Sequence, residues 1–299
     1  NRNTSLSCLP GRPSMKAPPY VHVPAERVLR HILNTGADRT TATRCRRLPA
    51  AEGPPTFTGP FYLADIGPPG APLLLELRLV PVDGATGLAL LMTNERYPRD
   101  LAAMGAQIQR AVESRGVTFD GIVAPESLGT KLTQEIARNV GPWTLHTTLQ
   151  KGKLVAGADG NLTIVPPKAW IGENDGVPAA SATTGTASRQ RLYLDPAIAE
   201  RFRTLERGVL LVDDARLSSG TLNASIALLK KHEVPIAAVA TVLNEHDSVE
   251  TIDGVPYVYL TKLPLFDRVE GDRWRPRPGT YEGLEHFWME DPVPRTGDD

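Results

Sequence analysis

Residues 208–222 read GVLLVDDARLSSGTL. Four apolar residues, Val209–Val212, run into the adjacent acids Asp213 and Asp214. A loop of small and hydroxyl residues follows, Ser218, Ser219, Gly220 and Thr221. The apolar run has the length and branching of a buried strand. Leu222, Ile226 and Leu229 then recur at helical spacing. The stretch therefore predicts strand, loop and helix in succession, with paired carboxylates where the strand ends.

The same alternation recurs around it. Leu101, Met104, Ile108 and Val112 predict a helix, FDGIVAP a short strand, ESLG a turn, and Leu132, Ile136 and Val140 one face of a second helix. WTLHTTLQ reads as a strand leading to the basic turn KGKL. RLYLD reads as a strand and PAIAERFRTL as a helix, while IAAVATVLN and PYVYLTKL are further apolar strands. Residues 155–190 show little periodicity. Strands that are apolar throughout and alternate with helices predict an α/β fold, a mostly parallel sheet with helices on both faces. Ahead of it, Pro60–Ile66, Leu73–Val80 and Leu88–Asn94 read as strands of a small antiparallel element, with the turn signal VDGAT between the last two. The expected organisation is a disordered leader over 1–19, an N-terminal extension or hood over 20–98, a core over 99–262 and a C-terminal segment over 263–299.

Bulk properties narrow the function classes. The 299 residues carry 33 Lys plus Arg against 34 Asp plus Glu, so no global field draws in nucleic acid or a membrane surface. The two cysteines, Cys8 and Cys45, form no metal-type spacing, and the six histidines are scattered. No apolar run approaches the roughly 18 residues of a membrane span, and the reading is of a cytoplasmic protein. Neither GxxxxGK[ST] nor GxGxxG occurs, which argues against a nucleoside triphosphatase and a dinucleotide-dependent dehydrogenase.

In a parallel sheet the ligand sits at the carboxyl ends of the strands, where both ESLG and DDARLSSGT fall. Small residues entering a helix expose amides without intrahelical partners, and the helix dipole adds positive charge. Such a loop suits a phosphate. Asp213 and Asp214 would repel a phosphate but suit sugar hydroxyls or a magnesium ion. Together the two halves describe a 5-phosphorylated ribose. The plain alternative is a strand end with an Asp turn and a Ser helix cap.

GVLLVDDARLSSGT resembles the phosphoribosyl-pyrophosphate signature of type I phosphoribosyltransferases. DGIVAPESLGTKLTQEIA and LQKGKL are similar, in the same order, to the pyrophosphate turn and basic turn of the adenine and xanthine members. The resemblance covers about residues 100–250. It departs at the loop: either Ser219 replaces a glycine, or Leu217 is an insertion. It implies transfer of ribose 5-phosphate to a base with release of pyrophosphate, through an oxocarbenium-like transition state. Asp213 and Asp214 are then the catalytic carboxylates, and Ala215, Leu217, Ser218, Ser219, Gly220 and Thr221 hold the 5-phosphate. Glu126, Ser127, Gly129, Lys151 and Lys153 take pyrophosphate, with magnesium bridging pyrophosphate and ribose hydroxyls. Residues 181–191 lie where the family carries a mobile loop, from which Arg189 or Arg191 could reach pyrophosphate; a plain linker is the alternative.

The acceptor base, a purine or a specialised heterocycle, is left open. Its hood would come from residues 20–98 or 260–288, where Phe266, Trp274, Tyr281 and Trp288 could stack on a base or simply pack. A homodimer is implied by the resemblance alone. The competing function is a phosphoribosyl-pyrophosphate-sensing regulator related to the purine repressor, suggested by the basic stretch with Arg27, Arg30, Arg39, Arg44, Arg46 and Arg47. The strand-like residues 60–94 and the net charge of -1 weigh against a DNA-binding domain.

Overall fold

The computed structural model describes residues 57–58, 61–67, 74–81, 86–91, 98–126, 129–141, 144–156, 162–179, 190–217, 219–245, 247–268, 273–277 and 280. The leader, the basic stretch over 26–47, Ser127, Ser218, residues 181–189, Tyr281 and Trp288 lie outside them. Two compact units result, one of 92–262 and one that joins 1–91 with 263–299.

The second of these draws strands from both ends of the chain. Its sheet contains β1 (Phe57–Thr58), β2 (Phe61–Asp65), β3 (Leu74–Pro81) and β4 (Thr86–Leu90). It is completed by the two C-terminal strands, β15 (Phe266–Arg268) and β16 (Arg273–Pro276). Every pairing in the order β1-β16-β15-β4-β3-β2 is antiparallel. Leu75, Leu77, Leu88, Ala89 and Phe266 are buried in its core. Trp274 is buried with its ring over Gly87, where a Cβ would meet it at 2.4 Å. Phe266 and Trp274 are thus packing residues of this sheet.

The 92–262 unit is an eight-stranded sheet. In chain order it comprises α1 (Pro98–Ser114), β5 (Gly121–Pro125), α2 (Gly129–Val140), β6 (Leu145–Lys151) and the hairpin β7 (Lys153–Ala156) with β8 (Leu162–Val165). Then come β9 (Val177–Ala179), β10 (Gln190–Tyr193), α3 (Pro196–Arg203), β11 (Val209–Arg216) and α4 (Gly220–Lys231). The last strands are β12 (Ile236–Asn244), β13 (Thr251–Ile252) and β14 (Val255–Lys262). The order is β13-β14-β12-β11-β5-β6-β10-β9. Its five central strands are parallel and its edge pairings antiparallel.

The apolar strands are explained by cover on both faces. Val209 and Leu211 share a core with Phe202 of α3 and Leu228 of α4. Leu210 and Val212, of opposite parity, are equally buried and face the side of α1 and α2. Leu132 and Ile136 pack there as their spacing predicts, while Val140, at the helix end, is exposed. Residues 155–190, expected to be irregular, contain β8 and β9. Strands of four and three residues are too short to leave a periodic signal. Among the described residues no helix is long and apolar enough to cross a membrane.

Candidate functional site

The chain lays β6 on one side of β5 and then returns to place β11, β12 and β14 on the other. The strand order therefore reverses between β5 and β11. The helix after β5 goes to one face of the sheet and the helix after β11 to the other, which leaves a crevice outside the carboxyl ends of these two strands. Among the described residues, Glu126, Gly129, Asp213, Asp214 and Gly220 lie at these strand ends.

β11 runs two residues further than expected, because pairing with β12 continues to Arg216 opposite Asn244. Asp213 and Asp214 thus belong to the strand itself. Asp213 is only 5% exposed, and its Oδ1 accepts the Asp214 amide at 2.9 Å. Burial raises the Asp214 carboxyl above its ordinary range, opposed by hydrogen bonding to Asp213 and to the amides of Asp214 and Ala215 and by the charge of Lys151. Electrostatics thus ties the acidic pair to the basic turn.

Ser219 is the N-cap of α4, yet its side chain makes no capping hydrogen bond. The first bond of the helix runs from the Asn223 amide to the Ser219 carbonyl at 2.7 Å. The amides of Gly220, Thr221 and Leu222 precede that bond and point toward the crevice end of the helix. Ala215 and Leu217 lead into this turn, half-buried.

On the β5 side, the Glu126 carboxylate accepts the Lys151 amide at 2.6 Å, and the Glu126 amide donates to Leu149 at 2.7 Å. The turn after β5 and the turn after β6 are therefore one assembly. Gly129 opens α2 against β11, where a Cβ would lie 3.1 Å from the Val212 carbonyl oxygen and 3.3 Å from the Asp213 Cα. That close approach sets the Glu126 turn beside the acidic pair. Lys153 is exposed at the start of β7. Arg191, which the sequence put both at the end of the 181–191 loop and at the start of the strand RLYLD, lies in β10, and its Nη2 donates to the Gly176 carbonyl at 2.7 Å. Its own carbonyl accepts the Gly152 amide at 2.9 Å, so it braces the basic turn.

Two residues at the crevice escaped sequence reading. Arg216 is 5% exposed, donating from Nε to Ser219 Oγ at 3.1 Å and from Nη1 to the Asp247 carbonyl at 2.8 Å. Glu245 follows β12 and is 4% exposed, with both carboxylate oxygens buried and without a hydrogen-bond partner among the described residues. A charged residue within an otherwise small-residue loop, and an acid closing an apolar strand next to β11, were the available signals.

Burial, reinforced by the charge of Asp214, holds the Glu245 carboxyl well above its ordinary value of 4.5. The folded protein then keeps a proton that the unfolded chain releases above that value. The stability this contributes is full below 4.5 and declines as pH rises toward the folded value, at up to about 1.4 kcal/mol per pH unit. Glu245→Gln has no proton to lose. Urea unfolding at pH 5, 6 and 7 should show the variant gaining on the wild type with each step. Parallel curves would show that the carboxyl ionises normally.

No protein-family model matches the chain, and no curated protein does. Solved structures do. Adenine phosphoribosyltransferase from Thermoanaerobacter pseudethanolicus is 17% identical over 62% of this chain and 95% of its own, with a TM-score of 0.43. The Rhodothermus marinus adenine enzyme is 14% identical over 62% and 94%, with a TM-score of 0.39. Mycobacterium tuberculosis orotate phosphoribosyltransferase, in complex with inorganic phosphate, is 14% identical over 62% and 82%, with a TM-score of 0.36. Identities this low leave the chemistry to be read from the residues themselves.

Proposed function

We propose that the protein is a phosphoribosyltransferase, moving ribose 5-phosphate from phosphoribosyl pyrophosphate to a nitrogen of a base. The observation that carries this is the convergence of three features on one crevice: the α4 N-terminus, the Asp213–Asp214 pair at the end of β11, and the Glu126–Lys151 assembly.

Each suits one part of the substrate. The amides of Gly220, Thr221 and Leu222, with the hydroxyl of Thr221, receive the 5-phosphate. Asp213 and Asp214 accept the ribose hydroxyls and favour positive charge as it develops on the ring. The Glu126 turn, with Gly129 at its end and the Lys151 ammonium beside it, receives the pyrophosphate, and Lys153 adds charge at the rim. Glu126 itself holds the Lys151 amide, which makes it an organiser of the turn and not a ligand of an anion. Ser218 and Ser127 are assigned with their loops.

Magnesium fits this donor set. Among the described residues no group of three acidic, His or Cys side chains could hold a metal. A carboxylate pair suits an ion that takes most of its ligands from substrate and water. Asp213 and Asp214 are the residues that would hold it, and when bound it would neutralise charge on the departing pyrophosphate.

Incubation with phosphoribosyl pyrophosphate, magnesium and a panel of adenine, guanine, hypoxanthine, xanthine, orotate and uracil tests the reading by mass spectrometry. A new nucleotide and pyrophosphate in equal amounts are expected from one acceptor. Failure of phosphoribosyl pyrophosphate either to react or to raise the melting temperature would refute it. The Gly129 contact gives a second check. Gly129→Val places a branched side chain against the β11 backbone and displaces the turn, so pyrophosphate affinity should fall by about tenfold to a hundredfold. Unchanged affinity by calorimetry would remove this turn from the site.

A further inference from the structure

We propose that Arg216 is a positioning residue for the phosphate loop, one that keeps the α4 N-terminus open for an anion; this rests on the reading of the crevice as a phosphoribosyl site. A serine at a helix N-cap ordinarily turns its hydroxyl back onto the second or third amide of its own helix. Ser219 does not. Its Oγ instead accepts from Arg216 Nε at 3.1 Å. The hydroxyl that would compete for the helix amides is thereby drawn away from them, and its proton is left to donate to a ligand.

Arg216 can do this because it is itself fixed. Its Nη1 donates to the Asp247 carbonyl at 2.8 Å, and its carbonyl accepts the Glu245 amide at 3.0 Å. Its guanidinium lies 5.4 Å from the ring centre of Tyr257 in β14. Tyr257 is in turn held by a 2.7 Å hydrogen bond to Thr241 in β12. The side chain is thus held from β14 and from the segment after β12, and its backbone by Glu245.

The charge matters as well as the grip. The guanidinium donates to a hydroxyl and a carbonyl and lies over an aromatic face. A phosphate entering beside Asp213 and Asp214 meets two carboxylates, and a buried cation next to the helix end offsets that repulsion.

Calorimetric titration of ribose 5-phosphate at low and high salt tests the proposal. The proteins are the wild type, R216M, R216K and the double variant R216M/S219A, each checked for folding by circular dichroism. R216M should bind about tenfold or more weakly, with a shallower salt dependence, because a charge and a diverted cap are lost together. R216K, which keeps a charge without the fork that reaches both loops, should fall between. It carries the test if R216M does not fold. Removing the competing hydroxyl in R216M/S219A should recover several-fold of the lost affinity. R216M within twofold of the wild type would overturn the proposal, as would a double variant no better than R216M. A folded wild type that binds no ribose 5-phosphate would refute the phosphoribosyl reading and this proposal with it; binding by the wild type together with an unaffected R216M would refute this proposal alone.

Discussion

Replacing both carboxylates, Asp213→Asn with Asp214→Asn, should lower turnover by a factor of about 10³ or more while leaving the fold in place. The pair sits at the end of the central strand, Asp213 almost wholly buried and Asp214 held above its ordinary pKa by burial. Asparagine keeps the volume and the oxygen that accepts the Asp214 amide. It removes only the charge. If that charge supports a cationic ring, the chemical step suffers far more than binding, so kcat should fall with little change in the affinity for ribose 5-phosphate. The melting temperature should stay within about 3 °C, since an uncharged pair at this depth costs less to bury. A double variant that keeps a tenth of its activity would remove the aspartates from catalysis.

A second large effect is expected far from the chemistry, at the entry to the same strand. Gly208 adopts φ +74°, a left-handed conformation that side chains disfavour. A Cβ there would lie 2.6 Å from the Pro235 carbonyl oxygen, an atom that accepts the Val209 amide at 2.9 Å. The Gly208 carbonyl also accepts the amides of Asp120 and Gly121, at the start of β5. Gly208→Ala therefore combines left-handed strain with displacement of the backbone that aligns β5, β11 and β12. The expected loss is about 2–4 kcal/mol, seen as a fall in melting temperature of roughly 5–15 °C. Gly116, at φ +72° with open space around it, provides the control: Gly116→Ala should cost only the strain, about 1 kcal/mol. Equal effects at the two positions would show that the Pro235 contact is easily relieved.

The central layout was legible because its physics is local. VLLV, GIVAP and IAAVATVLN are apolar on both faces, which only a strand covered twice requires, and the intervening helices show their spacing directly. DDARLSSGT was legible as a candidate site for the same reason: acids beside small hydroxyl residues, at a strand end, have few structural uses. What could not be read was anything that depends on a neighbour distant in sequence. Nothing in the chain between 263 and 277 announces that Phe266 and Trp274 complete a sheet begun at Phe57. Arg191 could be read as the start of the strand RLYLD, but not as the residue whose guanidinium donates to the Gly176 carbonyl.

Sequence by itself thus determined the helices and long apolar strands of the central sheet and the segment that carries the acids and hydroxyls, since burial on two faces and helix-end chemistry write themselves into adjacent residues. Only the tertiary structure decided that Gly129 rests on Asp213, that the Glu126 carboxylate holds the Lys151 amide, and that Arg216 takes the Ser219 hydroxyl. It also decided that Glu245 is buried without a hydrogen-bond partner among the described residues. These are contacts between the ends of separate strands, and their existence depends on strand order, which no single segment encodes.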